Sequence, residues 1–259
     1  MNLVNPVSVR ALLVRGMLAG LITGALALVT AYLLGEPHVD AAIAFEEAHS
    51  HDHGDGGVEL VSRTMQATGG LATGILVYGV ALGGIAALAF CVALGRIGRF
   101  GPRATAALVA LGAFVAVFLV PFLKYPANPP AVGDPDTLDQ RTALFFLMIA
   151  LSVLLAVGAV ILGRRLAPRL GNWHATVAAG AALVVAIGLA YAFLPAGGNV
   201  PEGFPATLLW EFRLASLAVE LVLWTGFGLV FGELAERLLT PKEAPAGHKA
   251  DPAAVTPAA

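Results

Sequence analysis

From Gly16 to Leu34 the chain reads GMLAGLITGALALVTAYLL, nineteen residues without a charge. A hydrocarbon layer about 30 Å thick is crossed by roughly 20 apolar residues in a helix, and a backbone in lipid finds no water for its amides. The stretch therefore has to close its hydrogen bonds within itself, as α-helix. It is longer than the apolar core of a secretory signal, so it reads as a retained span and not a cleaved leader. Gly16, Gly20 and Gly24 recur every fourth residue, a spacing that lets a second helix approach closely in the membrane.

Working outward, five more runs have the same character, and the predicted spans are about 12–34, 69–94, 104–123, 143–162, 174–194 and 208–232. Composition agrees: 58% of the residues are hydrophobic, 12% are charged and the mean hydropathy is +0.82, which excludes an ordinary soluble domain. The predicted fold class is all-α integral membrane, a six-helix transmembrane bundle over residues 1–240. The Pro/Ala-rich tail 241–259 is expected to be disordered. Gly70 and Gly74, Gly79 and Gly83, and Gly228 and Gly232 repeat the close-packing spacing. Prolines at Glu36-Pro37, Val120-Pro121 and Leu194-Pro195 predict that the first, third and fifth helices stop there, since proline cannot donate to the helix ladder. The spans pair as three hairpins.

Lys and Arg stay in cytoplasmic loops, which sets the orientation. With both termini cytoplasmic, eleven of the fifteen fall inside: Arg10, Arg15, Arg96, Arg99, Arg103, Arg164, Arg165, Arg169, Arg237, Lys242 and Lys249. Arg63, Lys124 and Arg141 fall outside, and Arg213 lies in or at the edge of the last span. The outer segments 35–66, 124–141 and 195–207 hold Glu36, Asp40, Glu46, Glu47, Asp52, Asp55, Glu59, Asp134, Asp136, Asp139 and Glu202, eleven of the seventeen acids. The net charge of −2 conceals an acidic outer face that would concentrate cations. Nothing in this pattern suits nucleic acid, and the expected surroundings are membrane lipid.

The densest chemistry lies in the first outer segment, where Glu46, Glu47, His49, His51, Asp52, His53 and Asp55 crowd together. Neutral imidazole and carboxylate form a mixed ligand set suited to cobalt, nickel or zinc. If a helix ran on past Ala48, His49 and His53 would share a face, with Glu46 one turn before His49. Gly54, Gly56 and Gly57 favour a flexible ligand loop that traps an ion and hands it on. A solvated loop with incidental histidines is the plainer alternative.

A second signal is charge within the membrane. Glu211, Arg213 and Glu220 lie in or at the edge of the last span, where an ionised group is costly and functional by default. Arg213 and Glu220 are two helical turns apart on one face, and Glu220 is the deeper. It can meet a partly dehydrated cation or a proton, or form a structural pair with an arginine. The run Pro121 to Pro130 is too proline-rich for helix and reads either as a rigid plug or re-entrant lip, with Tyr125 and Asn128 at the entrance to the path, or as a plain surface linker. No phosphate loop is present, and the single cysteine, Cys91, excludes an internal disulfide or a thiolate cage. Neither a nucleophile nor a resident cofactor is expected, so the chain is not read as an enzyme.

Gly35-Glu36-Pro37, the Ala42–Ala48 stretch AIAFEEA, Lys124-Tyr125-Pro126-Ala127-Asn128-Pro129-Pro130, Pro201-Glu202-Gly203-Phe204-Pro205 and Trp210-Glu211-Phe212-Arg213 resemble the probable cobalt transporter subunit family, CbtA, over about residues 10–240. The resemblance implies a multi-pass bacterial inner-membrane protein that takes up cobalt(II) as its transported substrate. It also implies a small single-span, histidine-bearing partner, CbtB-like. A non-transporting metal sensor or scaffold subunit would carry the same outer loop without passing the ion.

Overall fold

The computed structural model describes residues 6–49, 62–133, 135–198 and 200–240. Among these there is helix and no strand. Helix α1 (Pro6–Thr30) runs through a π turn (Ala31–Gly35) into α2 (Glu36–His49); α3 (Arg63–Met65) runs through a second π turn (Gln66–Gly70) into α4 (Leu71–Ala93). Next come α5 (Pro102–Ala113), a third π turn (Phe114–Leu119), α6 (Val120–Lys124), α7 (Leu138–Phe193) and α8 (Ala206–Leu239). Among the described residues, five continuous helical stretches are long and apolar enough to cross a membrane.

Six apolar runs meet five stretches because α7 carries two of them. Its 56 residues would reach roughly 84 Å if straight. Gly171, at φ 73° and ψ 163°, leaves helical geometry, a conformation open to glycine because it has no Cβ. The chain turns back there: a Cβ placed on Gly163 would lie 3.4 Å from the Cβ of Ala179. Met148 and Ala190 likewise share one core cluster. The two arms hold the predicted runs 143–162 and 174–194.

Two of the three expected stops at proline are not stops. The chain passes Pro37 and Pro121 as helix, and each lies two residues beyond a π turn. The wider turn makes room for the ring. In the third π turn the Val120 N–H reaches back to the Val115 carbonyl, so the next donor in that register, at position 121, would serve Ala116. Proline has no N–H to give. The buried Ser152 hydroxyl donates to the Ala116 carbonyl instead and ties α7 to the third span. Ser152→Ala should therefore cost about 1 kcal/mol in detergent unfolding. In a Pro121→Ala background that cost should shrink, because residue 121 regains an N–H; an undiminished cost would sever the two residues. The third stop, at Leu194-Pro195, stands, with α7 ending at Phe193.

Packing is closest where side chains are smallest. Gly16, Gly20 and Gly24 on α1 meet Gly79 and Gly83 on α4, and a Cβ built on Gly79 would lie 2.6 Å from the Gly20 carbonyl oxygen. Without a hydrophobic drive between helices in lipid, such backbone contact is what holds a pair together. Gly228 and Gly232 bring α8 against Ala110 and Ala106 of α5. Phe90, Phe227 and Phe231 fill the core between α4, α5 and α8, with Phe90 and Phe231 edge-to-face at 5.1 Å. Helix α8 thus packs on α1 and α5, whereas the α7 hairpin turns Leu154 (68% exposed) and Val184 (70%) outward.

The two ends of the bundle differ. At one, Glu233 takes Arg103 at 2.7 Å and Arg237 at 2.6 Å. At the other, the three segments that charge assigns to the outside come together: Ala42 of α2, Val132 and Phe204 bury against Leu209 at the start of α8.

Candidate functional site

That second end holds most of the described residues that the sequence singled out, and α2 builds much of it. Glu36 and Asp40 stand one turn apart on this helix, and both take Arg63 from α3. Asp40 Oδ1 receives Nη2 at 2.8 Å and Nε at 3.1 Å, and Glu36 pairs with the same Nη2. Two acids are thereby neutralised by one arginine, and α2 is fastened to α3. A second face of α2 carries His38, Ala42, Phe45 and His49 at helical spacing. Phe45 stacks on His49 with ring centroids 4.0 Å apart and meets Phe204 edge-on. Two turns back toward the start of α2, His38 Nε2 lies 3.4 Å from Glu211 Oε2 of α8.

The expected ligand segment is helical as far as His49, so Glu46 and His49 occupy consecutive turns of α2 and Glu47 lies beside them. His51, Asp52, His53 and Asp55 lie outside the described residues. Among the described residues no three His, Cys, Asp or Glu side chains gather as one metal-holding group.

The proline-rich segment after α6 is clamped at four points. Lys124 Nζ donates to the Tyr191 carbonyl at 2.9 Å, and the Tyr125 hydroxyl donates to Pro195 at 3.0 Å. Arg213 donates through Nη2 to Asn128 Oδ1 at 3.0 Å and through Nε to the Ala127 carbonyl at 3.3 Å. Burial pushes the Tyr125 phenol above its ordinary value, so it remains a neutral donor. The segment borders a cavity of about 290 Å³ lined by Phe118, Tyr125, Asn128, Arg141 and Phe145, among others. Its first residues, Pro121–Lys124, are helical, contrary to the expectation of a wholly non-helical lip.

Arg213 and Glu220 do not form a pair. Arg213 is held by the 127–128 backbone and side chain, and Glu220 Oε2 accepts the Trp224 indole N–H at 3.1 Å. Glu220 stands nine residues beyond Glu211 on α8, roughly 13 Å deeper. The residue that sequence reasoning passed over is His38. Its contact with Glu211 exists only if the helix continues through Pro37, and the adjacent proline argued the other way.

The sequence pattern of the probable cobalt transporter subunit family, CbtA, matches residues 9–236. The chain belongs to that family. The match reaches all five apolar helical stretches, and its C-terminal limit falls within the last turns of α8. No curated protein and no solved structure matches the chain. Membership, with five apolar helical stretches, makes this a multi-pass membrane protein of cobalt transport. The family is described as a subunit, so a partner is implied.

Proposed function

We propose that this chain is the ion-handling membrane subunit of a cobalt(II) uptake transporter in the bacterial inner membrane, crossing six times with both termini in the cytoplasm. The family match carries the reading. The fold-back of α7 at Gly171 supports the sixth crossing, and the sorting of basic residues supports the orientation. Outer carboxylates and the histidines 49, 51 and 53, with Glu46, Glu47, Asp52 and Asp55, gather the cation. The clamped segment with Tyr125 and Asn128 shapes the entrance, and Arg213 holds that segment in place. Glu211 and Glu220 mark the way down α8. The protein performs no bond chemistry; a small histidine-bearing single-span partner completes the assembly.

Uptake of isotopic cobalt into vesicles containing the purified subunit and its partner tests this, with nickel and zinc as competitors. Accumulation above that of empty vesicles is expected. Binding without accumulation would leave a sensor or scaffold. Converting His49, His51 and His53 together to Ala should lower uptake several-fold at scarce metal and little at abundance, because a capture site matters when the ion is dilute. Equal loss at both concentrations would indicate damage to the fold.

A further inference from the structure

Two histidines of α2 are held in one tautomer by their own helix. His38 Nδ1 lies 2.6 Å from the Leu34 carbonyl and His49 Nδ1 lies 2.8 Å from the Phe45 carbonyl. A carbonyl can only accept, so in both rings Nδ1 carries the proton and Nε2 is left to face outward. Metal-ligating histidines are commonly oriented in this way, with the second ring nitrogen donating to a backbone carbonyl. Opposite His38 Nε2, at 3.4 Å, stands Glu211 Oε2. With neutral imidazole the two atoms present lone pairs to each other, and something positive belongs between them. No other hydrogen bond or ion pair claims Glu211 among the described residues. The acids Glu36 and Asp40 are already taken by Arg63, and Arg213 turns away to Asn128.

We propose that His38 and Glu211 form a transfer site for a divalent transition-metal ion, with Nε2 and one carboxylate oxygen as the protein ligands and water completing the shell. The site rests on the transport reading and deepens it, because it names where the ion goes after capture. His38 and His49 are eleven residues apart, three helical turns, and so lie on one face of α2 about 16 Å apart along its axis. Between them Ala42 and Phe45 pack against Val132, Phe204 and Leu209, so the two histidines stand at either end of an apolar contact and His38 lies at its α8 side. Two protein ligands hold an ion more loosely than three or four, as a hand-on station requires. Imidazole with carboxylate admits cobalt, nickel and zinc alike.

The test uses the full chain in detergent with His49, His51 and His53 changed to Ala, so that capture upstream does not obscure the site. Cobalt(II) titration should show one bound equivalent. In the proton NMR spectrum a paramagnetically shifted, solvent-exchangeable imidazole line from Nδ1–H should appear. His38→Gln and Glu211→Gln should each weaken binding about 10-fold or more, and His38→Gln should remove the shifted line. His38→Cys should restore binding and add a thiolate-to-cobalt charge-transfer band, which an imidazolium–carboxylate ion pair would not produce. If the Gln variants titrate like their parent, or no equivalent binds, the site is refuted while vesicle uptake can still stand. Binding that depends on both residues in a protein that accumulates no cobalt would sustain the site and remove the transport reading instead.

Discussion

Glu220→Gln is expected to reduce cobalt uptake to the level of empty vesicles while the protein reaches the membrane in normal amount. Glutamine keeps a carbonyl oxygen for the Trp224 indole N–H, which Glu220 Oε2 now accepts at 3.1 Å, so the local fold of α8 is preserved. What disappears is the carboxylate itself, the deepest in the last span and the group that can offset a cation there. An uncompensated ion in that setting costs about 3 kcal/mol on insertion scales, which corresponds to roughly a 100-fold loss of rate. Isotope uptake in vesicles, normalised to protein in the same membranes, measures this. Normal uptake by the variant would remove Glu220 from the path.

The largest structural effect is expected at the crossing of α1 and α4. A Cβ on Gly79 would meet the Gly20 carbonyl oxygen at 2.6 Å and the Gly24 Cα at 3.3 Å. These neighbours are backbone atoms, which cannot rotate away. Gly79→Val therefore forces the helices apart along their contact and should destabilise the protein by about 3 kcal/mol or more. Gly20→Val should do the same. Thermal unfolding in detergent, with size-exclusion profiles, reads the loss. Gly74→Ala is the control, because nothing lies within 4 Å of its Cβ position. It should melt at or slightly above the wild-type temperature, given the higher helix propensity of alanine. Equal damage from Gly79→Val and Gly74→Ala would refute the close-packed crossing.

The contrast between Gly79 and Gly74 shows how much of the packing was legible. Both belong to four-residue glycine pairs, and sequence spacing assigns each pair to one helix face. Spacing does not say whether a neighbour lies on that face: Gly79 and Gly83 meet α1, Gly228 and Gly232 meet α5, and Gly74 meets nothing. Consecutive spans were likewise expected to pair as hairpins. α1 with α4, and the third span with the first arm of α7, follow that expectation through the glycine crossing and the Ser152 bond. Helix α8 instead packs on α1 and α5. Of the site residues, Glu211, Arg213 and Glu220 were visible because charge in an apolar run is conspicuous. His38 was hidden by Pro37, and Ser152 by its resemblance to any other small residue in a span.

Apolar runs, the acidic character of the segments 35–66, 124–141 and 195–207, a break between the runs 143–162 and 174–194, and family membership were all present in the linear chain. Hydration and charge act residue by residue and add along a sequence, so they can be read without knowing which helix touches which. The partners of Arg63, the facing of His38 and Glu211, and the hold of Arg213 on Asn128 required the tertiary structure. The physical reason lies in the π turns before Pro37 and Pro121. Each inserts about one residue into the helical repeat and so rotates everything beyond it by roughly 100°, and that rotation decides which side chains of α2 and of the segment after α6 meet α8.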